Sequence, residues 1–212
     1  LDKEFSYLYG LLQTDGNLYE QTRNRGRVRI ELSKKDADII YKLDKIVEYN
    51  TFISERKRTT NFGLLESISL SIYDFNFREK LKKLGFPLER KDELIKPPIK
   101  ESFSEIDYVR GIIDGDGSLG ITSNGFPFLS LVTKSDFIKD YYLDFLFDIT
   151  GKKKNSSRNK RDNIYNISVY KEDAQEVAKI IYYDNCLAIG RKKEKAKEVL
   201  SWNRPLDMKK RN

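Results

Sequence analysis

The strongest constraint in this 212-residue sequence is a stretch that it uses twice. Leu8-Tyr9-Gly10-Leu11-Leu12-Gln13-Thr14-Asp15-Gly16 and Val109-Arg110-Gly111-Ile112-Ile113-Asp114-Gly115-Asp116-Gly117 are each an apolar helical run with an internal glycine, ending in Asp-Gly. One Asp-Gly end is an ordinary helix stop. Two, one per half and 101 residues apart, point to a duplicated half-domain. A glycine inside a helix costs about 1 kcal/mol against alanine, so its recurrence at Gly10 and Gly111 demands a reason. Small residues, Thr14 and Gly115, follow four positions later on the same helical face. The pattern predicts two helices whose backbones pass very close.

Other markers keep the same spacing. Ser33-Lys34-Lys35-Asp36 matches Thr133-Lys134-Ser135-Asp136 at an offset of 100, and Arg90-Lys91 matches Arg191-Lys192 at 101. Between them the first half reads as a helix from Lys3 to Thr14, then a hairpin turning at Asn24-Arg25-Gly26. In that hairpin Val28, Ile30 and Leu32 alternate with Arg27, Arg29 and Glu31, an apolar row backed by a charged one. A helix from Lys35 to Tyr49 follows, and then a second hairpin, Phe52 to Thr59 and Leu64 to Tyr73, about Asn61-Phe62-Gly63. Asp74 to Leu84 is helical and stopped by Gly85, and Pro97-Pro98 marks the boundary between halves. The second half repeats the order. Ser104 is placed to cap the motif helix, a hairpin spans Ser118 to Thr133 about Asn124-Gly125, and a helix runs from Ser135 to Asp148. A basic stretch from Lys152 to Arg161 leads to a strand, Tyr165 to Tyr170, and to helices over Glu172–Tyr183 and Lys192–Trp202. The polar tail 203–212 reads as loose, and the alternation in 126–132 does not decide which face looks outward.

Composition narrows the chemistry. A net charge of +7 fits an anionic partner. The single Cys186 excludes a disulfide framework or a cysteine-based zinc site within one chain. The absence of histidine excludes histidine–metal nucleases, imidazole-activated serine or cysteine catalysis, and histidine-assisted intein splicing. Hydrolysis would rest on carboxylates, lysines and a metal. No run is long and apolar enough to cross a membrane and no signal peptide is visible, so an intracellular chain is expected, and Leu1 suggests a processed start.

The two repeated stretches resemble the signature motif of the LAGLIDADG homing endonucleases, the second closely, the first with Gln13 where that pattern often has an acid. The resemblance covers both halves. It implies an α+β monomer of two pseudo-symmetric αββαββα half-domains, 1–98 and 99–212, packed through a central pair of motif helices, with antiparallel sheets forming a saddle for DNA. It also implies a site-specific double-strand break in a long, nearly palindromic duplex, by magnesium-dependent phosphodiester hydrolysis. Manganese should substitute, and calcium should support binding without cleavage.

In the family the last aspartate of each motif binds the metal, which assigns Asp15 and Asp116 that role. The unpartnered helix-end carbonyls of Thr14 and Gly115 can add oxygen ligands. Asp114 lies on another helical face. Lys34 and Lys134 stand where the family often places a basic or amide residue near the scissile phosphate, with Lys171 a lesser candidate. Arg23, Arg25, Arg27, Arg29, Arg56, Lys57, Arg58, Lys153 and Arg158 supply basic contacts to DNA, and Ser67, Ser69, Ser71, Asn166 and Ser168 supply short polar groups for base edges. Two rivals share the fold. One is a maturase acting on its own intron RNA. The other is a non-cutting DNA-binding regulator, whose relatives typically lose the acids that this sequence keeps.

Overall fold

The computed structural model describes residues 1–61, 63–89 and 91–205. Its centre is the pair of motif helices, α1 (Lys3–Asp15) and α5 (Glu105–Asp116). Asp2 starts α1 by accepting the Phe5 N–H at 2.7 Å. Ser104 holds the equivalent position before α5 but does not cap it: its hydroxyl donates to Asp107 instead. A β-carbon on Gly10 would lie 2.4 Å from the Tyr108 carbonyl oxygen, and one on Gly111 would lie 2.3 Å from that of Tyr7. Only hydrogen fits there, which is the physical reason for glycine at both places. Tyr7, Leu11, Leu12, Tyr108, Ile112 and Ile113 fill the seam and join a core that runs through both halves.

The first half continues with β1 (Gly16–Glu20), β2 (Gly26–Ser33), a 3-10 turn (Lys34–Asp36), α2 (Ala37–Ile46), β3 (Thr51–Thr60), β4 (Gly63–Ile72), α3 (Phe75–Lys83) and the short α4 (Lys91–Leu94). Its antiparallel sheet has the order β1-β2-β4-β3. The first hairpin turns one residue earlier than the sequence suggests: Arg23 and Asn24 adopt the left-handed conformation, and Arg25 N–H returns to Thr22. Buried Arg78 pins this turn by donating to the carbonyls of Asn24 and Gly26.

The second half runs β5 (Gly117–Ile121), β6 (Pro127–Thr133), α6 (Asp136–Thr150), β7 (Tyr165–Tyr170), α7 (Lys171–Ile181) and α8 (Gly190–Leu200). Its sheet has three strands, β5-β6-β7. The αββαββα order expected of both halves therefore holds in the first and becomes αββαβαα in the second. Residues 151–163 contain no apolar side chain, so they have nothing to lay on a core and form no strand. In β6, Leu129 and Leu131 face inward, while Phe128, Ser130 and Val132 face out.

Of the tail, Arg204 forms a bidentate pair with Glu172 at 2.7 Å, and 206–212 lie outside the described residues, as does the repeat marker Arg90. Among the described residues no helix is long and apolar enough to cross a membrane.

Candidate functional site

The C-terminal ends of α1 and α5 meet. A β-carbon on Gly115 would lie 1.9 Å from Thr14 Oγ1 and 2.7 Å from Asp15 Oδ2. Asp15 therefore sits against the residue that precedes Asp116. Burial raises the Asp15 carboxyl above its usual range, against the pull of the Thr14 hydroxyl, Lys91 and Lys192. Asp116 is an exposed residue, yet the protein packed around its carboxyl and then the Asp15 charge push it up to about 6. Two carboxylates share one floor, and the charge of Asp15 makes Asp116 costlier to ionise.

Two lysines that the sequence marked only as repeats stand beneath them. Lys91 Nζ donates to the carbonyls of Thr14 at 2.5 Å and Gly16 at 2.6 Å. Lys192 Nζ donates to those of Ile113 and Asp114, both at 2.7 Å, and of Gly117 at 2.9 Å. Each ammonium thus serves the carbonyl end of one motif helix, where the helix dipole favours positive charge. Burial holds both below the usual lysine range. The shared offset of Lys91 and Lys192 with the motifs was the available signal, but sequence could not say that two distant lysines fold back onto helix ends.

A buried frame places these groups. Asp114 accepts hydrogen bonds from Tyr7 Oη, Tyr182 Oη and the Ile189 N–H, each at 2.7 Å, so it anchors α5 and is not turned to the cleft. Buried Asp36, from the first half, takes a bidentate pair from Arg191 of the second at 2.6 and 3.0 Å. Asp38 accepts the Gly190 N–H at 3.1 Å. The start of α8, and with it Lys192, is set by acids from both halves.

The cleft above is lined by Gln13, Thr14, Lys91, Asp92, Asp116 and Lys134, among others. Lys134 lies in it, paired to Asp92 at 2.7 Å. Lys34 differs. Its ammonium pairs with Glu55, which sits opposite Ile68, an inward-facing residue of β4. Repeat position therefore brings Lys134 to the acids' cleft but leaves Lys34 outside its lining. Lys171 stacks over Phe126, with 4.7 Å to the ring centroid.

The donor set suits a hard divalent cation. The site offers two carboxylates and the helix-end carbonyl of Gly115, all oxygen; the Thr14 carbonyl, expected as a further ligand, is taken by the Lys91 ammonium. No cluster of three acidic, histidine or cysteine side chains exists among the described residues. A cation here would complete its shell with water, as magnesium usually does.

The outward faces of the sheets flank this floor. In the first sheet, cross-strand rows run Tyr19–Arg27, Asn17–Arg29–Ser71–Phe52, Glu31–Ser69–Ser54 and Ser33–Ser67–Arg56, with Arg58 beyond. Arg23 and Arg25 project from the exposed turn. Three expectations change here. Ser69 and Ser71 are in register with the arginines but are 1% and 4% exposed, closed over by longer neighbours. Ser67 is committed to Glu31 at 2.6 Å. Lys57 has the opposite parity to Arg56 and Arg58 and pairs with Glu66 across the other face. Glu31 sits between Arg29 at 3.0 Å and Arg58 at 3.6 Å; the Ser67 hydroxyl first, and then these arginines, hold its carboxyl below the usual range.

In the second sheet the outward rows are Gly120–Phe128–Tyr170, Ser118–Ser130–Ser168 and Val132–Asn166. Asn166 is exposed and Ser168 half-buried. Lys153 is exposed on the loop after α6. Arg158 is tied down: it donates to the carbonyls of Lys134 at 2.8 Å and Asn163 at 2.9 Å, pairs with Asp136 and lies over the Tyr165 ring. It braces the corner that carries Lys134 and is not free for a ligand.

No protein-family model and no curated protein matches the chain. Solved structures do. The homing endonuclease I-WcaI bound to its DNA recognition sequence is similar over 95% of this chain and 87% of its own, with a TM-score of 0.63 and 17% identity. The I-LtrWI LAGLIDADG homing endonuclease bound to target DNA covers 92% and 87%, with a TM-score of 0.53 and 11% identity. The N-terminal LAGLIDADG domain of WhiA covers 97% and 84%, with a TM-score of 0.52 and 13% identity. The chain has the LAGLIDADG homing endonuclease fold.

Proposed function

We propose that the chain is a monomeric, site-specific DNA endonuclease in which 1–98 and 99–212 act as two half-domains on one duplex. One observation carries the reading: two carboxylates at touching helix ends, each with a lysine behind it, lie on a floor between two outward-facing sheets. The DNA-bound state of I-WcaI and I-LtrWI supports a duplex partner.

Phosphodiester hydrolysis needs an activated water, relief of phosphate charge and help for the leaving oxygen. Magnesium, when bound, would supply Lewis acidity and a more acidic water. Asp15 and Asp116 would hold it, with the Gly115 carbonyl beside them. The chain's own groups do the rest. Lys91 and Lys192 keep the acidic floor electrically tolerable and offer positive charge to a phosphate. Lys134, braced by Asp92 and by Arg158 on its backbone, can orient water or contact a phosphate oxygen. Arg23, Arg25, Arg27, Arg29, Arg56 and Arg58 contact phosphate or guanine.

The test starts from a random duplex library presented to the chain in calcium to select a bound sequence. That sequence is then cloned in a plasmid and incubated with magnesium or manganese. Wild type should linearise it. Asp15→Asn and Asp116→Asn should each abolish linearisation and keep binding, because the amide preserves shape and loses metal affinity. Cutting by the double variant would overturn the site. Sequence-specific duplex binding without cutting in either metal would make the chain a non-cutting binder, and a large preference for structured RNA would favour a maturase.

A further inference from the structure

Resting on the duplex reading above, we propose that the two sheets read their half-sites by different chemistry: the first by charge, the second by uncharged contact with thymine methyl groups and base edges.

The first sheet sets Arg27, Arg29, Arg56 and Arg58 on its outward face. Arginine is suited to phosphate and to the acceptor edge of guanine. Glu31, between Arg29 and Arg58, keeps two of them extended and in register before any DNA arrives. The second sheet has no charged residue at any outward strand position among its cross-strand rows. It presents Phe128, Val132 and Tyr170 around the row Ser118–Ser130–Ser168. Tyr170 is 53% exposed, so its ring is open to a ligand on this face.

Two facts make DNA the occupant of this neutral face. Val132 lines the same cleft as Asp116, so the face runs without a break into the site of the acids. The adjoining loop carries exposed Lys153 and Lys160, where a fourth strand would otherwise lie. Phosphate contact on this side is thereby moved from the sheet to its border. The sheet itself is left with apolar, hydroxyl and amide groups, whose complement in the major groove is the thymine methyl and the neutral base edges. An arginine sheet cannot serve this purpose, since a guanidinium gains little from a methyl group.

The experiment uses the selected duplex and the full chain in calcium. Each half of the target is assigned to its sheet by which half relaxes its base preference in the Arg27→Ala, Arg29→Ala variant. Thymines are then replaced by uracil in one half at a time, which removes only methyl groups. In the half assigned to the second sheet, binding should weaken about fourfold for each methyl group that the sheet touches, from the transfer value of one methylene-sized group. In the other half, where only Tyr19 and Phe52 interrupt the polar rows, it should weaken less. Tyr170→Ala, at an exposed position, should abolish part of the uracil penalty and leave the salt slope intact. Replacing Arg56 and Arg58 by Ala should flatten the salt slope by about 0.9 for each phosphate that is no longer neutralised. Equal uracil sensitivity in both halves, or none, overturns the inference while the duplex reading stands. Failure to select any duplex takes both down.

Discussion

The N-terminal half builds a four-stranded sheet with an arginine face, and the C-terminal half a three-stranded sheet with a neutral one. Yet at the seam the halves are close copies. A β-carbon on Gly10 or Gly111 would meet backbone oxygen at 2.4 or 2.3 Å, Asp15 and Asp116 end their helices side by side, and Lys91 and Lys192 each hold the carbonyls behind. The difference teaches where a duplicated fold is constrained. At the seam each backbone is the other's packing surface, so a change in one half must be answered in its partner. At the sheet edges the neighbour is solvent or a ligand, and each half can drift. Residues 151–163 drift furthest, having none of the apolar alternation that a strand needs.

The sharpest way to break the likeness of the centres is to remove their lysines. Lys91→Met and Lys192→Met should each slow cutting by up to about 10²-fold, the loss expected when the helix ends that carry Asp15 and Asp116 are left misplaced. Strand-resolved nicking of a plasmid target checks this, and a variant that cuts both strands normally would show that the centres differ in kind. Lys192→Met should also lose more stability in urea melts, since it abandons three carbonyls, two of them in buried bonds, against two part-buried ones for Lys91, at about 1–3 kcal/mol for a buried unsatisfied group.

The seam should respond alike from both sides. Gly10→Ala and Gly111→Ala force a carbon into carbonyl oxygen, and overpacking of this kind costs about 1–3 kcal/mol. Denaturation midpoints for the two variants should fall by similar amounts. A neutral Gly10→Ala would mean that the helices can separate on one side.

A smaller effect tests the paired acids. The folded chain holds the Asp116 proton up to about pH 6, against an ordinary value of 3.8. Between those values the folded state binds more proton than the unfolded one, so this group's contribution to stability is greatest below 3.8 and falls as pH rises toward 6. Metal-free melts across that range should show the decline, and Asp116→Asn should flatten it. Asp15→Asn should shift it to lower pH, because the charge that repels Asp116 is gone.

The smallest expected contrast lies at the strand ends. Lys134→Met should slow cutting a few-fold, and Lys34→Met should leave it unchanged, since only Lys134 lines the cleft with Asp116. Equal slowing in single-turnover assays would restore the symmetric assignment of both lysines.

Much of this molecule was legible from one dimension. The doubled motif, its internal glycines and the alternation of Val28, Ile30 and Leu32 against Arg27, Arg29 and Glu31 follow from local periods and a repeat offset, and they led to the α+β fold with its central helix pair. Such features are legible because helix and strand periods map sequence spacing directly onto faces. Tertiary structure decided what periods cannot carry. It brought Lys91 and Lys192 under helix ends some 75 residues away, turned Lys34 toward Glu55, closed Ser69 and Ser71 beneath their neighbours and spent Arg158 on its own scaffold. Those outcomes depend on which partners the packed fold brings within reach of each side chain. A polar residue's parity says which face it leaves from, but only the packed neighbours settle whether it arrives at solvent, at a ligand or at another part of the chain.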